Sequence, residues 1–421
     1  MTQKTFKVLI AGGGIAGLTL ANALKTSGIP FQVFERDAFP EYRNQGWSIT
    51  CRGSIDVLKR HMPQERFVSF GHEVSVNNES NGVDVAFAFK DGQTGQDILS
   101  FATNGRMVAY RANRNRFRKW LLKDVENDVQ WNKRVVRYEE KEDGVQVFFE
   151  DGTQAEGDLL VATDGSMSPV VQQLLGDRFD SLTHINPIRA YGCTRWVTEE
   201  EWNELTKIRT QATIVIGKVA NEDGAAFKGF CLFCTLNNID RSRTEAPFEV
   251  FCFFTRYDPD RVFLSATGTN DAEILKLIKS WAAGGIPGSP AHERLVAGIP
   301  DDTPMTEIII RERKPEFDLL VAPHRRVVIA GDAAHPMTMF RGDGANQAVE
   351  DIGVMVQEIV HAASGTKSLD EAISDYYKEM IPRAQAAVQS SHVAAEIVHT
   401  KPDEIYNLFK HIPEQTMNKK E

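Results

Sequence analysis

One stretch, residues 7–36, constrains the fold more than any other. The apolar run Lys7-Val8-Leu9-Ile10-Ala11 enters Gly12, Gly14 and Gly17 at G-x-G-x-x-G spacing. A helix-like segment follows, with Ile15, Leu18, Ala21 and Leu24 at helical spacing and Gly28 closing it. A second apolar run, from Ile29 to Phe34, ends at Glu35-Arg36. Each part has a physical job. Gly12 permits a tight turn, Gly14 lets a pyrophosphate approach the backbone, and Gly17 lets the helix pack close to the sheet. The helix start offers free N–H groups and a positive dipole end to phosphates, and Glu35 can accept hydrogen bonds from ribose hydroxyls. Strand, turn, helix, strand and acid in register point to a bound dinucleotide.

The chain has 421 residues, 42% hydrophobic and 25% charged, enough for a large core and two domains. A net charge of −10 with no strongly basic run argues against nucleic acid as a partner. The apolar runs are too short for a membrane span, and Met1–Phe6 carries no apolar signal region. Five scattered cysteines fit a reducing, cytoplasmic setting rather than a disulfide scaffold. Cys231-x-x-Cys234 lies in a strand-like run, where residues three apart face opposite ways, and no second ligand pair accompanies it. It reads as two packed cysteines, and no metal is expected.

Further along, residues 54–60 read as a short helix and 74–101 as strands. Tyr110 to Leu122 reads as one helix with Phe117, Trp120 and Leu121 on one face. A β-meander follows, turning at Asp151-Gly152. The apolar run Leu159 to Ala162 ends at Thr163-Asp164-Gly165, a second place where a cofactor could lie against backbone. Residues 181–317 change character, with aromatic strand-like runs at 230–234 and 248–254 and a helix near 272–283. The first pattern then returns. Arg326 to Ala330 is a buried strand leading into Gly331-Asp332-Ala333-Ala334-His335-Pro336, and a helix opens near Gly344, its N-terminus suited to an anion. Ser368-Leu369-Asp370-Glu371 is a capping box for a last helix that Pro382 kinks or divides.

Taken in order, these pieces resemble the single-component, group A FAD-dependent monooxygenases with the para-hydroxybenzoate hydroxylase fold. The salicylate-hydroxylase-like and fungal secondary-metabolite branch is the nearest in flavour. The motifs that carry the resemblance are Gly12-x-Gly14-x-x-Gly17 with Glu35, the run from Asp158 to Gly165, Gly331-Asp332 leading into Gly342-Asp343-Gly344-Ala345-Asn346, and Arg114-x-x-Phe117-Arg118-x-x-Leu121. The resemblance implies an α/β fold: a discontinuous FAD-binding domain of Rossmann type (1–73, 104–180, 318–421), an inserted mixed β-sheet substrate domain (74–103, 181–317), and C-terminal helices.

It also implies roles. Glu35, with Arg36 beside it, would hold the adenosine ribose, and Gly46 would approach the flavin. Arg114 would contact phosphates or the ribityl chain, Asp164 would lie near the diphosphate, and Asp332 would hold a ribityl hydroxyl. Gly344, Ala345 and Asn346 would offer N–H groups to the flavin ring. NADPH or NADH would bind transiently, since no second nucleotide motif is present, and O2 would add to the reduced flavin as a C4a-hydroperoxide. The distal oxygen would hydroxylate or epoxidise a small aromatic or olefinic molecule. Arg189 and Tyr191 are the candidate catalytic residues that polarise it, the alternative for Arg189 being an ordinary ion pair. His335 reads as packed in its turn. Phe230, Phe233, Phe251 and Phe253 are candidates for an apolar wall, of which only every second one on a strand can face inward. Met339 stands where many relatives have proline, Val171 where many have arginine, and Thr163 where alanine is common. Two other readings stay open: a reductase or dehydrogenase of this fold without oxygen insertion, and a flavin-binding protein without turnover.

Overall fold

β1 (Val8–Ala11), α1 (Ile15–Thr26) and β2 (Phe31–Phe34) form a parallel unit in which Val8 pairs with Phe31 and Ala11 with Phe34. β1 is wholly buried, as a central parallel strand covered on both faces must be. The computed structural model describes residues 6–42, 47–77, 79, 86–102, 109–206, 212–218, 229–263, 270–409 and 417–418. Its residues group into two units, one of 1–73, 114–184 and 311–391, the other of 74–113, 185–310 and 392–421.

The first unit is built on five parallel strands in the order Val327–Ile329, Leu159–Ala162, β1, β2, Val129–Gln130. In register, Ala11 stands beside Ala162, and Ala162 beside Ile329. Three stretches far apart in the chain therefore leave the sheet at one edge, where Gly12, Asp164 and Asp332 follow their strands. An antiparallel meander (Val135–Lys141, Gly144–Phe149, Gln154–Gly157) lies beside them in sequence. The segment read as one helix from Tyr110 differs: Tyr110–Asn113 is a strand, and the helix is Arg114–Leu122. Its buried Phe117, Trp120 and Leu121 hold it to the core. Val74 likewise ends a short helix, Phe70–Val74, rather than opening a strand.

Two long helices complete this part of the chain, Gly344–Ser364 and Leu369–Thr400. The second carries the expected capping box, Ser368 Oγ accepting from the Glu371 N–H and Glu371 Oε2 from the Ser368 N–H. Pro382 does not divide it. A proline removes one N–H bond from a helix interior, but Tyr376, Tyr377, Met380, Ile381, Ala384 and Val388 are buried on both sides of it, and packing carries the helix through. No helix of the described residues is long and apolar enough to cross a membrane.

The second unit is an eight-stranded mixed sheet, ordered Thr306–Glu307, Ile188–Val197, Phe248–Tyr257, Gly229–Ile239, Ala212–Lys218, Ala86–Asp91, Asp97–Ala102, Met417–Asn418. Helices Asp271–Ala282 and Pro290–Ala297 share one core with the side chains of one face, among them Tyr191, Phe230 and Phe254, and Trp281 of the first helix lies in that core. Cys193, Cys252 and Cys234 stand side by side in register on that face. Strand parity sends Phe233, Phe251 and Phe253 to the other face with Phe89, and Phe230 into the helix-side core. On that other face the row ends at Gly192, where an added Cβ would come within 2.9 Å of the Phe251 ring. Cys231 and Cys234 point to opposite faces, and both are buried and free.

Candidate cofactor site

The three glycines of the first motif are needed for three different reasons. Gly12 has φ +101° and lies so close to the next strand that a Cβ would stand 2.7 Å from the Asp164 Cα. Gly17 abuts the turn, since its Cβ would meet the Gly12 carbonyl at 2.0 Å and Thr163 Oγ1 at 2.6 Å. Gly14 faces open space. It also caps α1 without a side-chain bond, so the first N–H groups of the helix point outward unpaired within the helix. Thr163 joins the two strand ends, its hydroxyl reaching the carbonyls of Ala11 at 2.9 Å and Gly12 at 3.0 Å.

Glu35 is buried at the end of β2. Its Oε2 accepts the Gly13 N–H at 2.8 Å and its Oε1 the Asp37 N–H at 2.9 Å. Arg118, one turn into its helix, donates from Nε to the Gly13 carbonyl at 2.8 Å and sits 3.6 Å from Glu35. It pins both the glycine turn and the acid. Sequence reasoning set it in the helix motif and gave it no role; the only available signal was its spacing, one turn after Arg114. Arg36 is exposed. Arg114 is half-buried, its N–H bonded to the Trp47 carbonyl at 3.2 Å and its guanidinium 5.2 Å from the Trp47 ring. Gly46 lies outside the described residues.

Asp164 follows its strand into the same edge. Among the described residues its Oδ1 is buried without a hydrogen-bond partner. Burial pushes this carboxyl up to about 6, with Ser168 and Arg36 opposing the rise and Glu35 adding to it. Gly165, with φ +95°, faces open space. Arg313, distant from these residues in the chain, is buried; its Nη2 donates to the Ser166 carbonyl at 2.9 Å, while among the described residues its Nε and Nη1 have no hydrogen-bond partner.

Asp332 is exposed, and a Cβ on Gly344 would stand 4.0 Å from its Oδ1. The structure thus brings Asp332 to the start of the Gly344 helix. Asn346 spends its side chain on the scaffold: Oδ1 accepts from the Arg52 N–H and the Ser54 hydroxyl, each at 2.9 Å, and Nδ2 donates to the Thr50 carbonyl at 2.8 Å. The backbone N–H groups of Gly344, Ala345 and Asn346, in the first turn, have no partner within the helix. His335 is buried and bonded to Asp351, as packing in the turn requires.

The arrangement presents two helix N-termini, two glycines opening on free space, and buried polar atoms left for a partner. These features fit a dinucleotide carrying a pyrophosphate and a second polar ring system, as FAD does. Residues 5–252 and 322–391 match the sequence profile of the FAD binding domain family. The chain belongs to that family. This flavoprotein family includes the group A monooxygenases whose motifs the sequence resembles. The chain is 29% identical over 396 residues to the FAD-dependent monooxygenase thnD of Trichoderma harzianum, covering 91% of each. It is 28% identical over 398 residues to the FAD-dependent urate hydroxylase of Klebsiella oxytoca, covering 92% of this chain and 90% of the relative. Among solved structures, Klebsiella pneumoniae HpxO complexed with FAD and uric acid shares the fold at a TM-score of 0.72 and 21% identity, over 96% of this chain and 91% of that one.

The two residues expected to be catalytic belong to the second unit. Arg189 is held by two carboxylates, Nε to Asp258 Oδ2 at 3.1 Å and Nη1 to Glu307 Oε1 at 2.8 Å. Tyr191 is fully buried, its ring 6.2 Å from that of Trp281. Arg195 likewise bonds the Leu295 carbonyl and Glu201.

Proposed function

We propose that this protein is a cytoplasmic FAD-dependent monooxygenase that uses NADPH or NADH and O2 to hydroxylate or epoxidise a small aromatic or olefinic molecule. The observation that carries the reading is the gathering of Gly12, Asp164, Asp332 and the Gly344 helix at one edge of one sheet. FAD, when bound, would accept two electrons from the nicotinamide and, once reduced, activate O2 so that one oxygen atom goes to the substrate and the other leaves as water. The chain's own residues do the rest. Gly12 to Gly17 and the start of α1 hold the pyrophosphate, Glu35 the ribose, and Asp332 the ribityl chain. The N–H groups of Gly344 to Asn346 orient the ring and favour negative charge on it. In this proposal the first unit binds the cofactor, and the Phe233, Phe251 and Phe253 face of the second receives the apolar substrate and excludes water. Arg189 and Tyr191 act here as positioning residues of that sheet, because carboxylates occupy the first and the helix-side core surrounds the second. The relatives' names, a monooxygenase and a urate hydroxylase, support oxygen insertion.

A second reading, a flavin reductase of the same fold, rests on Met339 in the turn Met339–Arg341, where the resemblance to the group A monooxygenases implies proline. One experiment separates the two. Purified protein is loaded with FAD and screened for compounds that accelerate NADPH or NADH oxidation under labelled O2. Label in the product is the expected result. Accelerated oxidation with unlabelled product selects the reductase, and failure to take up FAD removes both.

A further inference from the structure

Asp332 and the first turn of the Gly344 helix are separate parts of the chain, and one buried carboxylate joins them. Asp351 lies two turns into that helix, 0% exposed. Its Oδ2 accepts the Gly331 N–H at 2.8 Å and stands 2.7 Å from His335 Nε2. A single oxygen therefore closes both ends of the turn that contains Asp332. Inside that turn the N–H groups of Ala334 and His335 both donate to the Gly331 carbonyl, at 2.8 and 2.9 Å. The other oxygen, Oδ1, accepts from Arg383 Nη2 at 3.1 Å. Arg383 also donates from Nη1 to Gln347 Oε1 at 2.7 Å, one residue beyond Asn346, and is held on its outer side by Glu379.

Burying this many charges is expensive, and an apolar cluster of the same volume is often as stable. The hydrogen bonds they make do tie the two elements at fixed points: Asp351 to Gly331 and His335 on one side, Arg383 to Asp351 and Gln347 on the other. We propose that Asp351, His335 and Arg383 form a positioning unit that fixes the turn carrying Asp332 relative to the first turn of the Gly344 helix, and so sets the grip on the flavin end of FAD and its reduction potential. This rests on the FAD reading above and goes beyond it in naming residues that touch no cofactor.

The imidazole's environment gives the unit a pH signature. Burial by itself would lower the His335 pKa, but Asp351 and Asp332 outweigh it and hold the ring above its ordinary value, with Arg383 opposing. The charges that act on the unit from around it are those of Tyr376 on Asp351, of Glu379 on Arg383, and of Glu350, which responds to both Arg383 and Asp351. A raised histidine pKa favours the charged ring at low pH, and the benefit is lost as pH rises through the folded-state value.

The test measures FAD dissociation constants by quenching of flavin fluorescence, across pH, and the midpoint potential of bound flavin by dye equilibration. His335→Leu is expected to weaken FAD about tenfold, the scale on which supporting hydrogen-bond partners act at other sites. It is also expected to make the potential more negative. His335→Gln keeps a donor toward Asp351 and is expected to recover affinity to within about twofold of wild type while losing the pH step. Should His335→Leu not fold, Arg383→Gln carries the same expectation for affinity and potential. Variants that match wild type in affinity, potential and pH profile overturn the positioning role while leaving the FAD reading intact. A wild-type protein that takes up no FAD overturns both.

Discussion

At position 164 a carboxyl is kept where water does not reach one of its oxygens. Its native pKa, about 6, lies above the ordinary 3.8. Between those values the native state binds more protons than the unfolded chain. The stability this acid contributes is therefore complete below 3.8 and is lost as pH rises through 6. Asp164→Asn is accordingly expected to melt higher than wild type at neutral pH in the FAD-free protein, and to match it below pH 3.8. Thermal melts across pH check this, and a difference that does not change with pH sinks it. The position itself was legible: an apolar run ending at Asp-Gly marks a strand edge. That its Oδ1 lacks a hydrogen-bond partner among the described residues was not, because that depends on how the chain folds around it. The same holds for Arg189. Its spacing after the Asp-Gly motif drew attention, but Asp258 and Glu307, which hold it, lie 69 and 118 residues away in the chain.

Among the elements, the strand Val327–Ile329 is the outermost of its sheet, and an outer strand leaves unpaired backbone groups. Two tyrosines of the last helix supply the missing partners. Tyr377 Oη accepts the Ile329 N–H at 3.0 Å, and the Tyr376 hydroxyl donates to the Ile329 carbonyl at 3.0 Å. Tyr377→Phe leaves a buried N–H unsatisfied and is expected to cost about 1–3 kcal/mol, read as a lower midpoint in urea unfolding. An unchanged midpoint would show that water already serves that N–H. Strands and long helices were readable here because period and caps are local. The tyrosine pair was not, since hydroxyl and strand are brought together only by the packed helix. Pro382 erred in the opposite direction. Proline is a local breaking signal, and the buried residues on either side of it overrode that signal.

For the molecule as a whole, motif order was the most informative signal. Gly12, Asp164 and Asp332 are each a short pattern of little specificity, and together they trace the switch from strand to loop along one sheet edge. The middle sheet was less legible, because its aromatic runs give no face assignment until the register with neighbouring strands is known. Register then places Phe230 among helices and Phe233 opposite.

Four of the five cysteines, Cys193, Cys231, Cys234 and Cys252, sit in that sheet, and Cys51 in the other unit; all are buried as free thiols. Burial raises Cys231 to about 12 and lifts Cys193 as well, so neither carries appreciable thiolate at neutral pH. A chromogenic thiol reagent should find nothing to titrate in native buffer and five equivalents in guanidinium, with prompt native labelling counting against this packing. Sulfhydryls so hidden become a built-in stopwatch: the slow appearance of colour times each excursion in which the aromatic layer comes apart.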